Sequence, residues 1–422
     1  MGKMTKSKEL IIAVFIFVSV VITTVILAVC AVSERENEKN MQRQLSAENK
    51  IQSVIETKSI EYLQETGEED AEIMTDSFML TENTKDTIKE ATKEISCWGD
   101  SMMEGCGKGF AVINNNGLYK DISNYDSPFT VEELTRYNTY NFGVAGETSY
   151  EIAIRAGGIG IYIDRNLHLT SYTTERARLI DDYGNVVNMN DFSGYGWENN
   201  DYPNTVYINN VLCLVENIEN SDEVYISICI EPEIYNIEDV SMEVYNSEDD
   251  DMLYEMDADS GTRVVPKAAY DHKSDILILE MGSNGGWCNN YEELITQYQS
   301  IIDFCGCDNY IIVGDTDDPG FSADAFQGMT DEIGGYIGTQ DTYWEAALRE
   351  AFGEHFLNTR VYIVENGLYD CGLLATRQDI IDESKGYISK QLRADNTHFN
   401  SYGYYSKGLA IYQKGLEMGY WD

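Results

Sequence analysis

A serine that follows Gly99 and Asp100, and a histidine three positions after an aspartate near the far end of the chain, are the residues best equipped for chemistry. A serine hydroxyl is a poor nucleophile until a neighbouring imidazole takes its proton, and a carboxylate must hold that imidazole in the right tautomer. Ser101, His398 and Asp395 supply those three groups, and the short spacing of Asp395-Asn396-Thr397-His398 lets one loop deliver both base and orienting acid. Attack on an ester carbonyl is the chemistry such a set performs, with no cofactor and no metal. Gly-Asp-Ser alone is a weak signal, because any turn after a strand favours these residue types for conformational reasons.

Positioning such groups requires a scaffold, and from residue 94 the texture of the chain supplies one. Ile95–Trp98, Ile276–Met281 and Tyr310–Val313 are short apolar runs bounded by turn residues, which predicts buried strands. Helical patterns cover Tyr291–Phe304, Tyr343–Phe352 and Tyr402–Met418. Strands alternating with helices predict an α/β fold whose parallel sheet is covered on both faces. Ser101 then lies at a strand end, where the loops over a parallel sheet form active sites. Residues 158–270 break the rhythm with short alternating runs such as Ile159–Ile163, Thr205–Ile208 and Val224–Ile230, which predicts a β-rich subdomain inserted into a core made of 94–157 and 271–422.

Two further segments stand in a fixed order between the serine and the Asp-x-x-His block: Asn141-Phe142-Gly143-Val144-Ala145-Gly146-Glu147-Thr148-Ser149, then Gly282-Ser283-Asn284-Gly285, which runs on into Gly286-Trp287. Together with Cys97–Met102 and Asp395–His398 they resemble the four blocks of the SGNH (GDSL) serine hydrolases, in a membrane-anchored form, over residues 94 to 420. The resemblance implies an SGNH-hydrolase, flavodoxin-like three-layer core. It also implies an oxyanion hole formed by the backbone N–H groups of Ser101 and Gly146 and the side-chain amide of Asn284. Fixed donors are needed there because charge develops on the attacked carbonyl oxygen, and losing one costs about 10² to 10³ in rate. Gly143 competes for the glycine's role but precedes the Gly-Glu-Thr-Ser portion that aligns best. Two positions depart from the family pattern: Met102 replaces the usual leucine, and Gly285 replaces the usual aspartate, leaving open how the Asn284 loop is braced.

Charge narrows the partners. Seventy-three acidic against 29 basic residues give a formal charge of −44, which disfavours nucleic acid and anionic membrane surfaces and is compatible with a small-molecule or polysaccharide ester. His168, His272 and His355 have no partner at catalytic or metal-ligand spacing and read as surface or boundary residues. No G-x-S-x-G and no H-E-x-x-H occurs. Asp315, Asp317 and Asp318, and the run from Glu248 to Asp251, offer hard oxygen ligands without the spacing of a calcium loop and read as solvated acids. Of nine cysteines, Cys30 lies in an apolar N-terminal stretch, and the C-x-C pair Cys305 and Cys307 reads as ordinary core or loop thiols.

Leu10–Val32 carries no charge and is long enough to cross about 30 Å of hydrocarbon as a helix. Lys3, Lys6 and Lys8 precede it, whereas Glu34, Arg35, Glu36, Glu38 and Lys39 follow, so residues 1–32 are expected to form a cytoplasmic tip and a single-pass anchor in the cell membrane. Residues 33–93 then form a polar spacer, and the catalytic domain is extracellular. Within this frame three functions compete. One is hydrolysis of acyl groups, with acetyl on carbohydrate as the leading expectation. Another is transfer of the acyl group to a sugar hydroxyl, and the third is surface carbohydrate binding without catalysis.

Overall fold

The computed structural model describes residues 93–421 except 116–117, 188–204, 230–242, 247–251, 289 and 317–339. The expected anchor and spacer lie outside these residues, as do Asp317, Asp318 and the run from Glu248 to Asp251. Among the described residues no helix is long and apolar enough to cross a membrane, and no group of three or more side chains could hold a metal ion.

A five-stranded sheet organises the molecule: β1 (Glu94–Gly99), β2 (Asn138–Gly143), β3 (Ile276–Glu280), β4 (Tyr310–Val313) and β5 (Phe356–Leu357). Every neighbouring pair is parallel, and the spatial order is β2-β1-β3-β4-β5. Successive residues of a strand point to opposite faces. In β3, Ile276 and Ile278 accordingly join one apolar cluster with Ala410 and Ile411, while Leu277 and Leu279 join another with Leu294 and Ile301. Burial on both sides explains why β1, β3 and β4 read as continuous apolar runs rather than as alternation.

Helices supply the covering layers. One turn, α1 (Ser101–Glu104), follows β1 directly, and α2 (Ser127–Thr135) and α3 (Ser149–Arg155) flank β2 in the chain. Then come α4 (Tyr291–Cys305), α5 (Tyr343–Phe352), α6 (Thr359–Asp370) and α7 (Ser401–Met418). Their starts are written in the sequence. Thr148 with Glu151, and Thr342 with Glu345, form reciprocal capping boxes, while Asn400 accepts from the N–H groups of Tyr402 and Gly403. Cys305 and Cys307 sit where α4 ends at Gly306, and no disulfide forms among the described residues.

Between β2 and β3 the described residues of 158–270 build antiparallel sheets. A seven-stranded one runs in the order Thr174–Ala177, Val224–Ile228, Val211–Asn217, Thr205–Ile208, Arg263–Pro266, Ile161–Ile163, Leu179–Asp181. A three-stranded one joins Glu243–Asn246, Met252–Ala258 and Leu167–Thr170. The first and last strands of this stretch pair with each other, Ile161 opposite Val264, and the Arg263 guanidinium donates to the Gly157 carbonyl at 2.7 Å. The chain therefore leaves the α/β core and returns to it at neighbouring points.

Candidate active site

The strand order reverses between β1 and β3, so a crevice opens beyond their carboxyl ends, where loops diverge to opposite faces. Ser101 is delivered there by β1 and α1, and Asn284 by the loop after β3. Ser101 is only 6 % exposed. Asp100 fixes the turn beneath it: one carboxylate oxygen accepts the Met102 N–H at 2.9 Å and the other accepts the Asn284 amide at 3.3 Å. Burial, reinforced by the neighbouring Glu280, pushes the Asp100 carboxyl up to about 7.

His398 Nε2 lies 3.0 Å from Ser101 Oγ, and His398 Nδ1 lies 2.9 Å from Asp395 Oδ2. The other Asp395 oxygen accepts the backbone N–H groups of Thr397 and His398 at 2.8 and 2.6 Å. Burial works to raise the Asp395 carboxyl, but the His398 N–H and imidazole and the Thr397 N–H outweigh it and hold the group down to about 2. The loop is shaped by Arg393, whose guanidinium reaches the Thr316 carbonyl at 2.5 Å and lies 5.2 Å over the Phe399 ring. Gly107 makes room for it, since a Cβ there would stand 2.7 Å from the Phe399 carbonyl oxygen and 3.2 Å from His398 Cβ.

The two candidate glycines separate by geometry. Gly143 is a packing glycine: a Cβ would stand 2.1 Å from the Glu104 nitrogen, and its N–H already donates to Asn141 Oδ1 at 2.9 Å. Gly146 is exposed with φ +83°, and neither its N–H nor that of Ser101 donates to any described residue. The Asn284 amide nitrogen is bonded at once to Asp100, which precedes Ser101, and at 3.0 Å to the carbonyl of Glu147, which follows Gly146, and so joins the two loops that carry those N–H groups.

Sequence reasoning left the bracing of the Asn284 loop open, and the structure resolves it. The Gly285 carbonyl takes both the N–H and the hydroxyl of Ser149 at 3.0 Å, Gln297 donates to the Gly286 carbonyl at 2.8 Å, and Trp287 Nε1 donates to the Gly282 carbonyl at 3.0 Å. Asp315 also serves this loop, accepting the Ser283 hydroxyl at 2.6 Å. Gly286 lies so close to α3 that a Cβ would meet the Ser149 nitrogen at 2.8 Å.

Arg155 escaped sequence reasoning. Fully buried, it holds the Glu147 carboxylate through Nε and Nη2, donates to the Phe142 carbonyl at 2.8 Å and lies 5.1 Å over the Trp98 ring. It thereby ties the loop carrying Gly146 to the ends of β1 and β2. The available signal was an acid and a base eight positions apart, with Arg155 set among the apolar residues Ile152, Ala153 and Ile154.

The remaining histidines lie elsewhere. The exposed His168 side chain sits on a strand of the inserted stretch between Asp257 and Glu255, His272 packs 4.1 Å from the Tyr140 ring, and His355 stacks 3.9 Å from Tyr310. Comparison with family models, with curated proteins and with solved structures returned no match.

Proposed function

We propose that this chain is a serine ester hydrolase of the SGNH type, with a flavodoxin-like core. Ser101 is its nucleophile, His398 the base and Asp395 the acid that orients the base. The observation that carries this reading is the unbroken path from Asp395 through His398 to Ser101 Oγ. Ser101 Oγ attacks the ester carbonyl as its proton passes to His398 Nε2. The N–H groups of Ser101 and Gly146 receive the developing oxyanion, joined by the Asn284 amide as it gives up its 3.3 Å bond to Asp100. His398 returns the proton to the leaving alkoxide, and the released alcohol is replaced by water. Water then attacks the acyl-serine with the same imidazole as base, freeing the carboxylic acid and restoring the hydroxyl.

The acyl group is proposed to be acetyl, carried by a carbohydrate, and the enzyme to be held outside the cell by Leu10–Val32, whose apolar length and flanking charges support an anchor. A fluorophosphonate probe, which requires an activated serine, tests the assignment on the full-length chain. Labelling at Ser101 that disappears in Ser101→Ala is expected. Labelling that persists in that variant overturns it. Acetate release from acetylated polysaccharide, set against acetylated-acceptor formation, then distinguishes hydrolysis from transfer.

A further inference from the structure

Beneath the candidate site lies a cation that the chemistry above does not use. Lys407 belongs to α7 and is fully buried. Its ammonium is ion-paired with Glu280, the last residue of β3, and donates to the Met102 carbonyl at 3.1 Å. Tyr404, Lys407, Gly408 and Ile411 share the buried face of α7, so a charged side chain occupies an apolar stripe.

The Met102 carbonyl needs such a partner. A helix of one turn leaves most of its carbonyls without an intrahelical donor, and an isolated turn does not sustain itself. In α1 the Asp100 carbonyl takes the N–H groups of Met103 and Glu104, and the Ser101 carbonyl takes those of Gly105 and Cys106. The Met103 carbonyl receives the Asn141 amide at 3.0 Å. Met102 is served by Lys407. The same ammonium offsets a crowd of carboxyls: Asp100 and Glu280 are both raised by burial and lowered by Lys407, and Asp315 adds to the repulsion on each.

Three segments therefore meet at one nitrogen. Met102 is in the turn of Ser101, Glu280 ends the strand that feeds the Asn284 loop, and α7 starts at Ser401, just past His398, Phe399 and the Asn400 cap. We infer that Lys407 is a positioning residue that fixes the Ser101 turn against the Asn284 and His398 loops by donating to the Met102 carbonyl. The inference rests on the esterase reading above.

A buried ion pair is often replaceable by neutral groups at little cost in stability, whereas removing one partner is strongly destabilising, so the test removes both charges. Lys407→Gln/Glu280→Gln keeps a neutral donor at position 407, and Lys407→Met/Glu280→Gln does not. In the full-length chain the donor-free pair is expected to lose about tenfold or more in kcat and in the rate of fluorophosphonate labelling at Ser101, with KM nearly unchanged. The donor-keeping pair should recover most of that loss. Equal kcat and labelling rates in the two pairs overturn the inference, because a counter-ion role alone does not distinguish them. So does a failure of both pairs to fold at temperatures where the wild type is folded, which makes Lys407 an element of stability. A wild type that neither labels nor turns over esters refutes the esterase reading and this inference with it. Labelled wild type with indistinguishable pairs refutes this inference alone.

Discussion

His398 Nε2 and Ser101 Oγ stand 3.0 Å apart although 297 positions separate them in the chain. If they act as base and nucleophile, their effects cannot add. Ser101→Ala and His398→Ala should each remove nearly all esterase turnover, and the double variant should be little worse than either single one. Steady-state kinetics on the three proteins check this, and turnover within a few-fold of wild type in His398→Ala counts against the pairing.

Gly143, which ends β2, and Gly146, in the loop after it, should respond differently to alanine. At Gly146 a Cβ meets nothing within 4 Å, so the cost is the positive φ, about 1 kcal/mol, and the N–H survives. Gly146→Ala should fold and keep much of its kcat. Gly143→Ala forces a methyl into the backbone of α1 and should unfold at markedly lower temperature. Asn284→Ala removes a donor outright and should lower kcat by about 10² to 10³. Thermal melts and initial rates on the three variants separate packing from chemistry.

Arg155→Met leaves the Glu147 carboxylate buried without its partner. Breaking such a pair costs about 3 to 5 kcal/mol, read from urea unfolding. Glu147→Gln/Arg155→Met should regain part of that stability. It should not regain kcat, because the Gly146 loop stays untied from the Phe142 carbonyl.

Asp100 makes a pH-dependent contribution whose sign is fixed. Its carboxyl moves from an ordinary 3.8 to about 7 on folding, so between those values the folded state binds the proton more tightly than the unfolded one. Stability from this group is present in full below about pH 3.8 and falls as pH rises towards about 7. Asp395 acts oppositely: its carboxyl is held down to about 2, so its contribution is present above about 3.8 and is lost as pH falls towards 2. Urea midpoints across pH 4 to 7 should decline less steeply in Asp100→Asn than in the wild type. An unchanged slope removes Asp100 as the source.

Local pattern made much of the scaffold legible. Tyr310–Val313, Tyr343–Phe352 and Thr205–Ile208 form the elements their periodicity predicts, because each is buried in a way that its residue types report. β2 was hidden by its composition: Asn138-Thr-Tyr-Asn-Phe-Gly is half polar, as suits a strand at the edge of the sheet. β5 is only two residues long, too short to show a period. At the site, residues that act through their own chemical groups were visible as motifs. Those that act by holding others, Arg155, Glu280 and Lys407, were not, since a buried charge is intelligible only once its partner from a distant segment is in place.

The pairing of Ile161 with Val264 bears on the order in which the chain assembles. One edge of β1 pairs with β2 nearby in the chain, but its other edge pairs with β3, where Glu94 and its partner Asp275 are 181 positions apart, and closing so long a loop is slow. During synthesis the apolar edge of β1 leaves the ribosome well before the strand that covers it. The inserted stretch emerges in the interval and needs only its own neighbours to pair. Once Ile161 meets Val264, the two halves of the central sheet are brought side by side, and the search that remains is a short one. Closing the inserted stretch at its base thus leaves less chain to search when β1 and β3 pair.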